Sequence, residues 1–238
     1  FMTLDPNPTS PYRFLAADGS TFAFFSNSSF ASADYYVSEG HSAKGGAAVS
    51  GLKFTPLKLE GLQKVTPFYA TDLRGYFLKI YEKGAFRGAG MDGEIWESFV
   101  TFSKRNVLRG LHIQRPKPQA KLVTVLYGEI FDVGVDLRQG SPTYGQWEGL
   151  VLSHENRQGL YLPEGFAHGF LVRSDFALVS YLCSGAYDPK GDGGVRWDDA
   201  DIGVDWGLPR GMRPIVSQRD GNLPTLADFE RQGSIWKE

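Results

Sequence analysis

Two short runs of β-prone residues, on either side of Gly128-Glu129, place the strongest constraint on how this chain folds. They cover residues 121–127 and residues 130–137. In the second run two sets of residues alternate: Phe131, Val133, Val135 and Leu137 share one face, opposite Asp132, Gly134 and Asp136. A period of two is typical of a half-buried strand, so the pattern predicts two strands joined in a β-hairpin.

Further short apolar segments follow at close spacing, separated by glycine and proline. The strand candidates are residues 149–152, 159–162, 170–172 and 177–183. Helical periodicity is confined to short pieces such as residues 226–231. Many short strands with Gly/Pro turns predict an all-β sandwich or barrel with short peripheral helices, and the jelly roll is one such architecture.

The first 50 residues differ in composition from the rest of the chain. They hold 2 Lys/Arg and 4 Asp/Glu, against 25 and 27 in the whole chain. They nonetheless carry aromatic side chains that a plain flexible tail would not need, among them Phe14, Phe22, Phe24, Phe25 and Phe30. We interpret residues 1–55 as an extension that packs, with a strand pair around Asp18-Gly19, and residues 56–238 as the main domain.

Charge and cysteine content narrow the function classes. The formal net charge of -2 argues against nucleic acid or an anionic membrane as the principal partner. A single cysteine, Cys183, excludes a disulfide framework and a Cys-cluster zinc site. No apolar run is long enough to span a bilayer, and the first residues lack a signal-peptide pattern. We therefore expect a cytoplasmic protein, and a local basic pocket for a small phosphorylated ligand is compatible with it.

Two of the four histidines lie in segments that suit a site. His112 alternates with Gln114, a poor ligand for a transition metal, so a metal-dependent reaction is disfavoured. The His112 imidazole could act as a general base if a carboxylate orients it, or be a hydrogen-bonded structural histidine. His168 lies among glycines, which suit either close approach to a ligand or a tight turn. His41 and His154 lie in polar loop sequence.

Four further residues have both a chemical and a structural interpretation. Lys121 opens an apolar strand candidate, so its ammonium either points into a pocket or lies at the strand edge. Tyr181 and Tyr187 are either proton donors or ordinary buried tyrosines. Asp220 has the sequence context of a turn or capping residue. The spacing of these residues does not by itself converge on one reaction.

Taken in order, the motifs resemble the dTDP-4-dehydrorhamnose 3,5-epimerase family of nucleotide-sugar epimerases. The matching pieces are residues 72–77, 107–114, 119–123, 128–133, 135–138, 141–145, 152–153, 155–156, 163–170, 197–199, 201–203 and 217–220. Order and spacing agree over residues 58–226. No single piece decides the match, but the ordered set is hard to meet by chance.

The resemblance implies both a fold and a reaction. The family has a cupin-type jelly roll, is usually dimeric, and acts without metal or organic cofactor. We therefore expect a homodimer that epimerises C3, C5 or both of a nucleotide-diphosphate 4-keto-6-deoxy sugar, dTDP-linked by default, in deoxysugar biosynthesis. A 3,4-ketoisomerase acting on a similar sugar nucleotide and a non-catalytic sugar-nucleotide-binding cupin are the alternatives.

Site residues carried over by motif form a catalytic set and a binding set. The resemblance makes His112 the base, Asp220 the carboxylate that holds its imidazole, and Tyr181 the opposing proton donor. A proton α to the C4 ketone is acidic because the carbanion delocalises to an enolate, which a cation such as Lys121 stabilises. The implied substrate-binding residues are Arg74 and Arg109 at the diphosphate, with Gln114, His168 and Tyr187. The two arginines and the lysine would build a small cationic pocket.

The chain departs from the family pattern on the nucleotide side. Leu182 follows the acid tyrosine where the family often has lysine, and Lys79 stands where the family has glutamate. Residues Glu97-Ser98-Phe99 fall where the family has a Gln-Asp-Asn cluster. The catalytic core is retained and the recognition residues differ, which leaves the nucleotide base open.

Overall fold

The computed structural model describes residues 12–15, 21–24 and 51–232. In these ranges the chain forms fifteen β-strands and three short α-helices. The strands are β1 (Tyr12–Leu15), β2 (Thr21–Phe24), β3 (Lys53–Pro56), β4 (Gln63–Thr66), β5 (Phe68–Asp72), β6 (Gly75–Lys79), β7 (Ile95–Lys104), β8 (Leu108–Gln114), β9 (Lys121–Tyr127), β10 (Glu129–Asp136), β11 (Trp147–Ser153), β12 (Gly159–Leu162), β13 (Phe166–Val172), β14 (Phe176–Ser184) and β15 (Asp192–Gly194). The helices are α1 (Lys83–Gly88), α2 (Gln218–Gly221) and α3 (Leu226–Gln232).

Two antiparallel sheets face each other across the hydrophobic core. One has the strand order β3-β4-β12-β9-β14-β7 and the other β11-β10-β13-β8-β15. Buried side chains of both sheets form a single cluster, among them Val123, Val179, Ile130 and Phe170. This arrangement confirms the predicted all-β jelly roll with short peripheral helices.

The segment that most constrained the fold does not form the predicted hairpin. β9 has the predicted bounds, and β10 begins and ends one residue earlier than predicted. However, β9 pairs with β12 and β14, whereas β10 pairs with β11 and β13, so the two strands belong to different sheets. The chain crosses between the sheets at Gly128, where φ is +84° and a Cβ would lie 2.1 Å from the carbonyl oxygen of Phe176. Only glycine fits this turn.

The polar face of β10 is buried, which corrects the predicted half-buried strand. Asp132 and Asp136 are 0% exposed, while the apolar face packs in a second core cluster. Each carboxylate has a polar partner, because Asp132 bonds to His168 and Asp136 accepts from Arg138. β10 is an inner strand covered on both faces. One face of β10 therefore packs in the apolar core, and the other lies among buried polar groups that are paired with each other.

Three features lie at the margins of the two sheets. β1 and β2 pair antiparallel, in agreement with the predicted strand pair, and the residues between them lie outside the described ranges. β3 begins at Lys53, so the larger sheet already includes the end of the segment assigned to the extension. β5 and β6 form a separate hairpin. Of the helices that the structure describes, none has the length and apolar character needed to cross a membrane.

Candidate active site

A cavity of about 320 Å³ lies between the two sheets. Four predicted site residues line it: His112, Gln114, Lys121 and Tyr187. Six other residues of the cavity wall were not predicted as site residues: Glu97, Phe99, Gln119, Cys183, Asp192 and Arg219. The wall therefore takes side chains from strands of both sheets, from the loops before β9 and after β14, and from α2.

A carboxylate from a distant part of the chain holds the His112 imidazole. Oδ1 of Asp220 lies 2.9 Å from Nε2 of His112, and Oδ2 accepts from the Gly110 N–H at 3.1 Å. Asp220 lies in the first turn of α2, whose N-cap Ser217 accepts from the Asp220 N–H. Burial raises the pKa of Asp220, but the hydrogen bonds from His112, Gly110 and Ser217 outweigh it and hold the pKa below its usual value. The structure thus brings the predicted base and its predicted carboxylate together.

Gly110 lets β8 approach β13 closely at this point. Its φ is +126°, and a Cβ there would lie 2.5 Å from the Cα of Gly169. The register between the two strands shifts between His168 and Phe170, and His112 lies directly opposite His168. A side chain on residue 110 would push the strands apart, so the relative position of the two histidines depends on this glycine.

Next to the cavity, His168, Asp132 and Tyr181 form a buried polar cluster. Nε2 of His168 lies 2.7 Å from Oδ1 of Asp132, and the His168 ring stands edge-on to the Tyr181 ring at 5.7 Å. Burial raises the pKa of Asp132, with His168 acting in the opposite direction. Burial also raises the pKa of Tyr181 well above its usual value, and the Asp132 carboxylate adds to this. Tyr181 is therefore a protonated phenol at neutral pH, the form that a proton donor requires.

Sequence reasoning missed Asp132, because the alternation of β10 placed it on a face expected to meet solvent. Its Oδ2 has no hydrogen-bond partner within the described ranges, so the carboxylate depends on His168, and to a smaller extent on Lys121, for compensation. A signal was present in the strand itself. Two aspartates on one face of an otherwise apolar strand are unusual unless that face is paired with polar groups.

Lys121 is the first residue of β9 and lies directly opposite Cys183 on β14. Burial lowers the pKa of its ammonium and the nearby Arg219 cation acts in the same direction, while Cys183, Asp192 and Asp132 oppose them. The Lys121 amine therefore lies in the cavity wall in a largely buried position, where its charged form is less favoured than in water. Such a group stabilises an oxyanion more than an exposed lysine does.

Gln114 lines the cavity, but its amide is engaged with the chain itself. Nε2 donates to the carbonyl oxygens of Lys117 and Ala186, at 2.6 and 3.0 Å. Oε1 accepts from the Asp188 N–H at 2.7 Å. Gln114 therefore holds together the two loops that follow β8 and β14.

The rim of the cavity carries a polar cluster centred on Asp192. Its carboxylate accepts from Tyr187 Oη at 2.9 Å and pairs with the Arg219 guanidinium at 2.8 Å. Across the cavity wall, Gln119 donates to Glu97 at 3.0 Å. In the part of the chain that the structure describes, no three His, Cys, Asp or Glu side chains come together as metal ligands. That the reaction needs no metal stays a prediction.

The structure does not bring Arg74 or Arg109 to the cavity wall formed by the described residues of this chain. Arg74 lies in the turn of the β5–β6 hairpin, exposed and paired with Asp72. Arg109 donates from Nε to a serine hydroxyl of β7 at 2.9 Å. Within one chain the cations of the cavity wall are therefore Lys121 and Arg219.

Known proteins are similar to this chain in both sequence and fold. The family profile described as dTDP-4-dehydrorhamnose 3,5-epimerase matches residues 56–228. A dTDP-4-dehydrorhamnose 3,5-epimerase of Methanothermobacter thermautotrophicus is 47% identical over 176 residues, which is 74% of this chain and 95% of the relative. A dTDP-4-dehydrorhamnose 3-epimerase of Streptomyces niveus is 42% identical over 186 residues, 77% of this chain and 88% of the relative.

A solved structure matches the same region. It is the dTDP-6-deoxy-D-glucose-3,5-epimerase of Legionella pneumophila Philadelphia 1 in complex with dTDP-4-keto-L-rhamnose. The TM-score is 0.73 at 34% sequence identity, over 76% of this chain and 96% of that one. The comparisons of sequence and of fold thus both find dTDP-sugar epimerases.

Proposed function

This chain belongs to the dTDP-4-dehydrorhamnose 3,5-epimerase family, and from that premise we propose that it epimerises C3, C5 or both of a dTDP-linked 4-keto-6-deoxy sugar. The observation that carries the proposal is that His112, which lines a cavity between the sheets, is paired with the buried carboxylate of Asp220. Deoxysugar biosynthesis is the setting in which such a substrate is made. Both a 3,5-epimerase and a 3-epimerase are among the relatives, so the family leaves the choice of carbon open.

The first step removes the proton on the carbon next to the ketone. When Nε2–H of His112 is donated to Asp220, the lone pair of the imidazole is on Nδ1, and Nδ1 takes the proton. The electron pair of the broken C–H bond moves to the ketone oxygen and gives an enolate. The Lys121 ammonium stabilises this oxyanion.

The second step returns a proton to the opposite face of the same carbon. Tyr181 is the donor in this scheme, since its raised pKa keeps the phenol protonated until the enolate carbon accepts the proton. The tyrosinate then regains a proton from solvent, and the His112 imidazolium loses one. Substrate and product differ only in configuration, so no electrons are transferred.

We also propose a homodimer in which the β5–β6 hairpin of one protomer lies along strand β7 of the other. β7 ends the larger sheet, and besides Phe99 at the cavity it exposes three large apolar side chains: Trp96, Val100 and Phe102. The hairpin exposes three more: Leu73, Tyr76 and Phe77. Free strand edges with exposed apolar side chains favour pairing with another chain.

This dimer gives Arg74 a place at the substrate. β7 carries both the free edge and two residues of the cavity wall, Glu97 and Phe99. A hairpin on that edge brings Arg74 of the partner subunit to the rim of the cavity. An arginine there would bind the diphosphate. Among the described residues of one chain, the cavity wall offers Lys121 and Arg219 as its basic side chains.

The domain division is also a proposal. Support for a catalytic domain over residues 56–238 comes from the family match, which begins at residue 56. The interpretation of residues 1–55 as an extension that packs and the cytoplasmic location stay predictions.

Proton exchange in heavy water tests the proposed reaction. The enzyme is incubated with dTDP-, GDP- and CDP-linked 4-keto-6-deoxy sugars, and NMR follows the C3 and C5 protons. We expect loss of a C3 or C5 proton signal, fastest with the dTDP sugar, and the appearance of an epimer. His112→Ala should lower the rate about 10²- to 10⁴-fold, the usual contribution of a positioned general base.

A matched histidine variant controls for general damage. His154 is exposed and stacks on Tyr127, at the other end of β9 from the cavity, so His154→Ala should keep the wild-type rate. His41 lies outside the described residues. Exchange with none of the three substrates contradicts the proposal. A product with its carbonyl at C3 identifies a ketoisomerase, and binding without exchange or turnover identifies a non-catalytic cupin.

A further inference from the structure

Phe99 lies between the proposed proton donor and the cavity. Its ring lines the cavity and stacks on the ring of Tyr181, with 4.6 Å between centroids and 16° between planes. The two residues are direct cross-strand partners on β7 and β14. Tyr181 is 5% exposed and, within the described ranges, is not part of the cavity wall, whereas Phe99 is 44% exposed. A ligand in the cavity therefore meets Phe99 before it meets Tyr181.

Tyr181 is confined on its other sides by groups that cannot move easily. The ring of His168 stands edge-on to it at 5.7 Å, and His168 is bonded to the buried Asp132. The buried Val123 is its cross-strand partner on β9. Of the three neighbours His168, Val123 and Phe99, only Phe99 is partly exposed. Displacement of Phe99 is thus the easiest way to expose the Tyr181 phenol.

We propose that Phe99 is a positioning residue that sets how often Tyr181 protonates the enolate, and so what share of the deprotonated substrate is inverted. While Phe99 is stacked, His112 removes a proton and returns one to the same face, which gives exchange without inversion. When Phe99 moves aside, the Tyr181 O–H bond breaks as a C–H bond forms on the opposite face. Water then reprotonates the tyrosinate. The inference rests on the proposed epimerase function and deepens it.

The expected size of the effect follows from the strength of aromatic stacking. Loss of an ordinary aromatic stack shifts the balance between stacked and open forms by about two- to tenfold. Removal of the Phe99 ring should therefore raise the ratio of inversion to exchange by this factor. Deprotonation by His112 does not involve Phe99, so the exchange rate itself should change much less.

The experiment measures both rates in heavy water with a dTDP-linked 4-keto-6-deoxy sugar. NMR gives proton loss and epimer formation for the wild type, Phe99→Ala and Phe99→Leu, of which the second keeps apolar volume without a stacking face. The ratio should rise in both variants and fall to near zero in Tyr181→Phe, with or without Phe99→Ala. Phe176→Ala is the matched control, because Phe176 lies on β14 and stacks on Tyr127 at 5.0 Å, away from the cavity. Its ratio should equal that of the wild type.

A second readout needs no turnover. In protein labelled with ¹³C at the tyrosine Cζ, the Tyr181 signal is assigned by its loss in Tyr181→Phe. Uncovering the phenol in Phe99→Ala should lower its pKa toward the ordinary value of 10.0. An unchanged titration in Phe99→Ala overturns the inference, as does a ratio that stays constant or falls in both Phe99 variants. Lack of exchange by the wild type instead contradicts the proposed function, and the titration then still decides whether Phe99 covers Tyr181.

Discussion

Nε2 of His112 and Oδ1 of Asp220 lie 2.9 Å apart, although 108 residues separate them in the chain. The contact forms because a parallel bridge ties the segment before α2 to the start of β8. Asp220 then lies in the first turn of α2, within reach of both the His112 ring and the Gly110 N–H. The base His112 thus lies on β8, and Asp220, which orients it, is hydrogen-bonded to the same strand.

Replacement of this carboxylate should reduce turnover more than binding. Asp220→Asn keeps the size of the side chain but removes the charge that stabilises the imidazolium formed during proton abstraction. We expect kcat to fall about 10²- to 10⁴-fold with little change in KM, measured by steady-state kinetics on the epimerised sugar. Asp201→Asn, at an exposed aspartate, is the control and should keep full activity. An unchanged kcat in Asp220→Asn would remove Asp220 from the mechanism.

The same pair predicts how stability depends on pH. Burial raises the pKa of Asp220, but hydrogen bonds to its carboxylate outweigh it, so the folded pKa lies below the usual value of 3.8. The stabilisation by Asp220 is therefore fully present above the unfolded pKa and is lost as pH falls through the lower folded pKa. Urea unfolding between about pH 5 and pH 2 should show a steeper loss of stability for the wild type than for Asp220→Asn. Parallel curves would contradict the lowered pKa.

Short runs of β-prone residues predicted individual strands well, because β-propensity is a local property of the chain. β9 and β12 have the predicted bounds, and β14 exceeds its predicted range by one residue at each end. Strand partners depend on contacts between distant residues. A glycine such as Gly128 can form the turn of a hairpin or, as here, the turn at which the chain passes from one sheet to the other. The pattern around Gly128 is the same in either case, so the sequence could not decide between them.

The site residues also fall into two groups, those that the sequence could assign and those that it could not. The resemblance assigned His112, Asp220 and Lys121, and the structure places all three at or beside one cavity. It could not reveal Asp132 or Phe99, because their importance lies in what they contact. Asp132 matters because it pairs with a buried histidine, and Phe99 because it covers a tyrosine from the neighbouring strand.

The buried His168–Asp132 pair predicts a stability effect that changes with pH. His168→Ala leaves the Asp132 carboxylate buried without its partner, which should cost about 3–5 kcal/mol at pH 7. Burial raises the pKa of Asp132, so a folded protein with protonated Asp132 becomes accessible as pH falls. The cost of His168→Ala, measured by urea unfolding, should therefore be smaller near pH 5 than at pH 7.

The double variant isolates the role of charge. His168→Ala combined with Asp132→Asn no longer buries an unpaired carboxylate, so at pH 7 it should be more stable than His168→Ala alone. A double variant that is less stable than the single one would mean that packing, and not the unpaired carboxylate, accounts for the loss.

Gly110→Ala should disturb the fold and the site together. A Cβ at this position would lie 2.5 Å from a backbone atom of β13, and φ is +126°, a region that L side chains rarely adopt. The strand must shift, and the Gly110 N–H that holds Asp220 shifts with it. We expect a lower Tm and a loss of proton exchange.

Gly88→Ala is the matched control for this substitution. No atom lies within 4 Å of a Cβ built there, and Gly88 is the last residue of α1. It should raise stability by up to about 1 kcal/mol, since alanine restricts the unfolded chain. A wild-type Tm in Gly110→Ala would show that β8 and β13 can separate without cost.

Arg74 and His112 should complement each other across the proposed dimer. If Arg74 serves the partner's cavity, a mixed dimer of Arg74→Ala and His112→Ala contains one intact site, built from His112 of the first chain and Arg74 of the second. A dimer of either variant alone contains no intact site. Co-expression of the two chains in equal amounts should restore about a quarter of wild-type activity, because half of the dimers are mixed and each has one working site. Activity no higher than the average of the two single variants would mean that Arg74 acts within its own chain or not at all. Sedimentation of Leu73→Asp completes the test, since a charge at the exposed hairpin tip should shift the protein from dimer toward monomer.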